Sequence, residues 1–173
     1  MNNIILIGMP GAGKSTVGVI LAKVLGYNFI DSDLLIQGQE HSLLKDIIKE
    51  KGLEGFLEIE NQVNSEIEEE ETVIATGGSV VYGKEAMAHL KNIGTVVYVQ
   101  LSLEILKERL GNMKQRGVAL KKGQDLKSLY EERTPLYEKY SDIIVNSDGK
   151  SVEELLNVII DKVGPLRNWN LGF

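Results

Sequence analysis

The segment Gly8-Met9-Pro10-Gly11-Ala12-Gly13-Lys14-Ser15 has the residue types and spacing suited to holding phosphate, G-x-x-x-x-G-K-[ST]. Glycine accepts positive φ at little cost, so this stretch can turn tightly and bring backbone N–H groups close to phosphate oxygens. Lys14 is placed to reach the β- and γ-phosphates, and the Ser15 hydroxyl to ligate Mg²⁺. A helix starting near Gly13 and running through Thr16 would add its unsatisfied N–H groups and the positive end of its dipole to the same anion. Gly11, Ala12, Gly13, Lys14, Ser15 and Thr16 therefore form a candidate cradle for a nucleoside triphosphate.

Such a cradle has to stand between a strand and a helix. Asn3-Ile4-Ile5-Leu6-Ile7 precedes it as a short apolar run, and residues 16–25 follow with a helical pattern. Further strand-like segments lie at 28–30, 72–75, 95–99 and 142–145, with helical patterns between them. Strands separated by helices pair in parallel through right-handed crossovers, so the expected class is α/β, a three-layer fold on a five-stranded parallel sheet. Ligands in such sheets sit beyond the carboxyl ends of the strands. Residues 8–15, 31–33 and 76–79 should then converge.

Residues 111–123 hold glycines, lysines and one arginine but no sustained apolar stripe. They read as a mobile lid of the kind that excludes water during phosphoryl transfer. One domain over residues 1–163 is expected, with a tail from 164 to 173 after a Gly164-Pro165 helix stop.

Composition excludes several classes. The 173 residues are 43% hydrophobic and 25% charged, ordinary for a soluble globular chain. Cysteine is absent, which removes disulfides and thiolate metal sites and fits a reducing cytoplasm. No apolar run approaches the ~20 residues of a membrane span, and the first is too short for a signal peptide. The net charge of −6, with acids gathered at Glu66-Ile67-Glu68-Glu69-Glu70-Glu71, disfavours nucleic acid as a partner. That acidic run reads as a solvated helix face. His41 and His89 lack partners at metal-ligand spacing. Tyr130, Tyr137 and Tyr140 are expected to pack.

Asp31-Ser32-Asp33, Gly77-Gly78, Arg116 and Arg133-Thr134-Pro135-Leu136-Tyr137, taken with the phosphate loop, resemble the shikimate kinase family over roughly residues 1–162. The resemblance implies a P-loop NTPase fold of nucleoside-monophosphate-kinase type with a lid. It also implies ATP with Mg²⁺ and γ-phosphoryl transfer to a hydroxyl of a small cyclic acid, in a cytoplasmic monomer. Lys14 and Ser15 match the family's phosphate lysine and magnesium hydroxyl, and Asp31 the carboxylate that helps hold Mg²⁺ through water. Asp33 matches the carboxylate that grips acceptor hydroxyls and takes the proton. Gly77 and Gly78 match two of three glycines that approach the substrate, with Ser79 in the third place. Arg116 resembles the lid arginine, Arg109 the arginine that lies against adenine, and Arg133 one of two arginines that clamp the substrate carboxylate.

The second clamp is absent. The family pattern Phe-Arg-x-x-Glu reads Phe56-Leu57-Glu58-Ile59-Glu60, so Leu57 stands at the arginine position. On a helix Phe56, Ile59, Val63 and Ile67 form the core stripe, and Leu57 projects about 100° from Phe56, toward the side of Glu60. Lys84 is the candidate substitute cation, although a lysine offers a point charge where an arginine offers a planar fork. Two departures beside an intact ATP half leave three readings open. They are a shikimate kinase, a kinase of another small hydroxylated metabolite, and a nucleotide-binding module without acceptor chemistry. A nucleotide kinase fits poorly, because an acceptor phosphate needs several basic residues and the chain has four arginines.

Overall fold

A computed structural model describes residues 2–111 and 117–167. Strand β1 (Asn3–Ile7) has every side chain buried, as a central strand covered on both faces requires. Helix α1 (Lys14–Leu25) follows, then β2 (Asn28–Asp31), α2 (Ser32–Glu40), α3 (Leu44–Ser65) and β3 (Thr72–Ala75). A 3₁₀ turn (Val80–Tyr82) leads to α4 (Lys84–Ile93), β4 (Gly94–Gln100), α5 (Leu103–Arg109), α6 (Leu126–Tyr140), β5 (Ile143–Asn146) and α7 (Val152–Arg167).

The five strands form one sheet in the order β2-β3-β1-β4-β5, and all four pairings are parallel. The order reverses at β1, whose neighbours are β3 and β4. The phosphate loop therefore opens at the switch point, where two outgoing connections part and leave a crevice. Right-handed crossovers set α1 on one face, where α7 packs against it after the last strand, and the α3–α4 pair on the other.

Asn3 fastens the opposite end of the sheet. Its amide donates to the Ile93 and Glu69 carbonyls, and its carbonyl oxygen accepts from the Thr72 N–H at 3.0 Å. The main core surrounds the sheet. A smaller one, formed by Ile36, Leu44, Ile47, Phe56, Val63 and Ala119, lies under α2 and α3 and supports the acceptor side of the crevice.

The strand and helix assignments hold, with three differences. The acidic run lies in the loop after α3 and not on a helix. Consecutive glutamates beside a helix C-terminus face the negative end of the dipole and repel one another at i+3 and i+4, which ends α3 at Ser65. Asp142 precedes β5 yet still pairs with β4, its N–H donating to the Val96 carbonyl and its carboxylate accepting from the Val96 N–H. Helix α7 continues through Gly164 and Pro165 to Arg167, because a proline in the last turn forfeits only one backbone hydrogen bond. Gly52, with φ of 74°, kinks α3 and redirects its second half toward the crevice.

Candidate active site

The phosphate loop holds its shape through backbone that only glycine adopts readily. Gly13 has φ of 87° and caps α1, so the first N–H groups of that helix open into the crevice. The Lys14 ammonium is buried and donates to the carbonyls of Gly8 at 2.7 Å and Met9 at 2.9 Å, which leaves one proton for a ligand. Burial lowers its pKa to about 8, against the opposing pull of Asp33.

Beyond β2 the two aspartates divide their work. Asp31 caps α2, accepting from the Asp33 N–H at 2.9 Å through Oδ1, while its Oδ2 accepts from the Ser15 hydroxyl at 2.8 Å. Hydroxyl and carboxylate oxygens so paired are the hard donors that Mg²⁺ prefers, and the two residues fit that ion. Asp33 is relieved of capping and turns into the crevice. Burial, then the Asp31 charge, pushes its carboxyl up to about 6.

Gly77 and Gly78 separate two poles of one pocket. A Cβ on Gly77 would lie 2.6 Å from Asp33 Oδ1 and 2.8 Å from Glu60 Oε2, and one on Gly78 would lie 2.6 Å from Pro10 Cδ and 2.9 Å from Arg133 Nη1. Backbone here is flanked by carboxyl oxygens on one side and a guanidinium on the other. Arg133 is 1% exposed, donates to the Ala119 carbonyl at 2.8 Å and packs 5.4 Å from the Tyr82 ring centroid. Among the described residues no carboxylate lies within ion-pair distance of it. A buried guanidinium without a counter-ion is costly unless a ligand supplies one.

A single cavity of about 380 Å³ runs from the phosphate loop to these poles. Gly11, Gly13, Lys14, Ser15, Thr16, Asp33, Gly77, Gly78, Ser79 and Arg133 all line it. Ala12 and Arg109 line a second cavity of about 180 Å³, together with Ser147 and Lys150. Arg109 reaches the rim of the loop there, donating to the Gly11 carbonyl at 3.1 Å. Gly117, Val118 and Ala119, at the end of the segment expected to act as a lid, line the main cavity. Arg116 lies outside the described residues.

Leu57 does not reach the main cavity. It lies behind Ala119 in an apolar pocket of about 130 Å³ with Leu53 and Tyr82. On α3, Phe56 and Glu60 face the main cavity, and Leu57 is turned about 60° from Glu60, a gap a short aliphatic side chain does not bridge. Lys84 is exposed at the start of α4 and is not among the residues lining the main cavity. Lys14 and Arg133 are its cationic lining residues among those described.

Sequence reasoning used Glu60 only as a marker of helix phase. Its carboxyl is 2% exposed, accepts from the Ser79 hydroxyl at 2.6 Å, and is pushed up to about 7, chiefly by burial. The family's Phe-Arg-x-x-Glu pattern contained the signal. Tyr137 was expected to pack and does, but its hydroxyl also donates to the Gly78 carbonyl at 2.6 Å, fixing the turn between the poles.

The raised Glu60 pKa carries a stability cost with a definite sign. The unfolded chain releases this proton near 4.5 and the folded one near 7, so stability falls as pH rises between them, by about 3 kcal/mol. Asp33, Arg133 and Lys14 face the same group, and only Asp33 adds to the rise. Glu60→Gln is expected to stabilise the ligand-free protein by about 1–3 kcal/mol at pH 8, with no gain at pH 4.5. Urea unfolding at the two pH values measures this, and an equal effect at both would show that Glu60 is not perturbed.

The model of a family described as shikimate kinase matches residues 10–164. A shikimate kinase of Persephonella marina is 35% identical over 164 residues, covering 94% of this chain and 99% of its own. The chain belongs to the shikimate kinase family. Among solved shikimate kinases, that of Acinetobacter baumannii, in complex with shikimate, superposes with a TM-score of 0.83 at 27% identity, covering 96% of this chain and 95% of its own. That of Aquifex aeolicus gives 0.76 at 30%, covering 96% and 99%. The five-stranded parallel sheet and its helices are this family's architecture. No described helix is long and apolar enough to cross a membrane.

Proposed function

We propose that the protein transfers the γ-phosphoryl group of ATP to a hydroxyl of shikimate. The observation that carries the reading is the single cavity lined at one end by the phosphate loop and at the other by Asp33, Gly77, Gly78 and Arg133. A hydroxyl grip, a carboxylate receptor and a phosphate cradle in one enclosure match a hydroxylated acid and a phosphoryl donor. The complex of a structural relative with shikimate supports the same acceptor.

In this reading the loop amides and Lys14 hold the phosphates, and Arg109 lies against the base. Ser15 and Asp31 would hold Mg²⁺, which would neutralise phosphate charge when bound. Asp33 orients the acceptor hydroxyl and takes its proton, Arg133 binds the acceptor carboxylate, and Arg116 closes on the transferring group. Catalysis is then mainly positioning and electrostatic preorganisation, with the lid excluding water. ADP release that depends on shikimate, above an acceptor-free control, tests the reading. Its absence would overturn it.

Leu57 in its apolar pocket favours one competing reading, a kinase of another small hydroxylated acceptor. A charge-assisted hydrogen bond contributes ~1.5–3 kcal/mol, so Leu57→Arg is expected to lower the shikimate KM by about ten- to a hundredfold. An unchanged KM would show that position 57 is not the missing clamp.

A further inference from the structure

Among the described residues, Glu60 is the one buried carboxyl lining the main cavity that the mechanism leaves unused. Ser79, itself buried, satisfies only Oε1. Oε2 has no hydrogen-bond partner among the described residues, although it is shielded from solvent. A buried polar atom left this way costs free energy unless a ligand pairs with it. Its location says which part of a ligand that is. Oε2 and Asp33 Oδ1 both lie within 2.8 Å of one point above Gly77, whereas Arg133 stands over Gly78. Oε2 thus belongs to the hydroxyl pole and not to the carboxylate pole.

The two departures from the family pattern meet at this group. With Leu57 in place of arginine, helix α3 offers Glu60 no cation one turn away, and Leu57 is turned into a separate pocket. With Ser79 in place of glycine, the turn after β3 acquires a hydroxyl, and that hydroxyl fixes the Glu60 carboxyl. A glycine there could not donate it.

We propose that Glu60 is a second hydroxyl-binding residue of the acceptor site, with Oε2 accepting a hydrogen bond from an acceptor hydroxyl adjacent to the one held by Asp33, and that Ser79 is its positioning residue. The inference rests on the reading that the cavity takes a hydroxylated acceptor. It shifts recognition toward the acceptor's hydroxyl pattern and away from its carboxylate, which Arg133 holds alone among the described residues. Glu60 acts in its ionised form, so alkaline pH favours the contact, with Asp33, Lys14 and Arg133 facing the same group.

The test pairs substitutions in the protein with deletions in the acceptor. Wild type, Glu60→Gln and Ser79→Gly are assayed with shikimate and with its two analogues that each lack one non-transferred hydroxyl. Glu60→Gln is expected to raise the shikimate KM about ten- to a hundredfold, with the loss falling on KM more than on kcat. Ser79→Gly is expected to raise it several-fold. With the analogue that lacks the contacted hydroxyl, either substitution should change KM by less than about threefold, because the interaction is already gone. Retained ATP binding shows that the variants fold. Equal losses with all three acceptors, or no loss with shikimate, overturn the inference while leaving the acceptor reading in place. Wild-type silence with shikimate and a panel of other hydroxylated acceptors overturns both.

Discussion

Lys14→Ala is expected to lower turnover by at least about a hundred- to a thousandfold, the loss that follows removal of one preorganised donor from developing phosphoryl charge. The geometry explains why neighbouring groups do not replace it. Two of its three ammonium protons are committed to Gly8 and Met9, so the charge is fixed over the loop and does not wander. The other described cation in the cavity, Arg133, stands at the acceptor pole beyond Gly78. Lys14→Arg should restore little, because a guanidinium does not fit a niche bounded by two carbonyls that hold a compact ammonium. Steady-state kinetics at saturating ATP decide the point. Retention of more than a tenth of wild-type turnover by Lys14→Ala would mean that the loop binds nucleotide without Lys14 stabilising transfer.

Asp33→Asn should reduce turnover by about 10²–10⁴-fold, the range for loss of a positioned proton acceptor, while ATP affinity stays within a few-fold. The side chain is nearly isosteric, and among the described residues it makes no hydrogen bond or ion pair that asparagine would break. The cap of α2 belongs to Asp31, which bonds the backbone N–H of residue 33 and is indifferent to its side chain. Turnover and ATP titration measured on one preparation separate the effects. Full activity would remove Asp33 from the chemistry, and parallel loss of ATP binding would place it in the nucleotide site.

Most of this arrangement was legible in the sequence because it is local. The phosphate loop announces itself by glycine spacing, β1 by an unbroken apolar run, and the convergence of residues 8–15, 31–33 and 76–79 follows from parallel topology alone. Pairings between distant segments were not legible. Nothing in residues 56–60 says that Ser79 will sit 2.6 Å from Glu60, because that distance is set by how α3 leaves its kink at Gly52 and packs on the turn after β3. Helical phase placed Leu57 near Glu60, but a 60° offset against a cavity edge formed by Ala119 decides which pocket a side chain enters. The acidic run was misread for a related reason. Its charge predicted exposure correctly, but the preceding helix ends before it. The division of labour between Asp31 and Asp33 needed coordinates, since either residue type can cap a helix.

Phosphorus NMR of the reaction with ATP, Mg²⁺ and shikimate follows transfer of the phosphoryl group to a hydroxyl of shikimate. A new phosphomonoester signal, coupled to a single ring proton, is expected to grow in step with ADP and to be lost in Asp33→Asn. Growth of inorganic phosphate alone, with shikimate recovered unchanged, would contradict it.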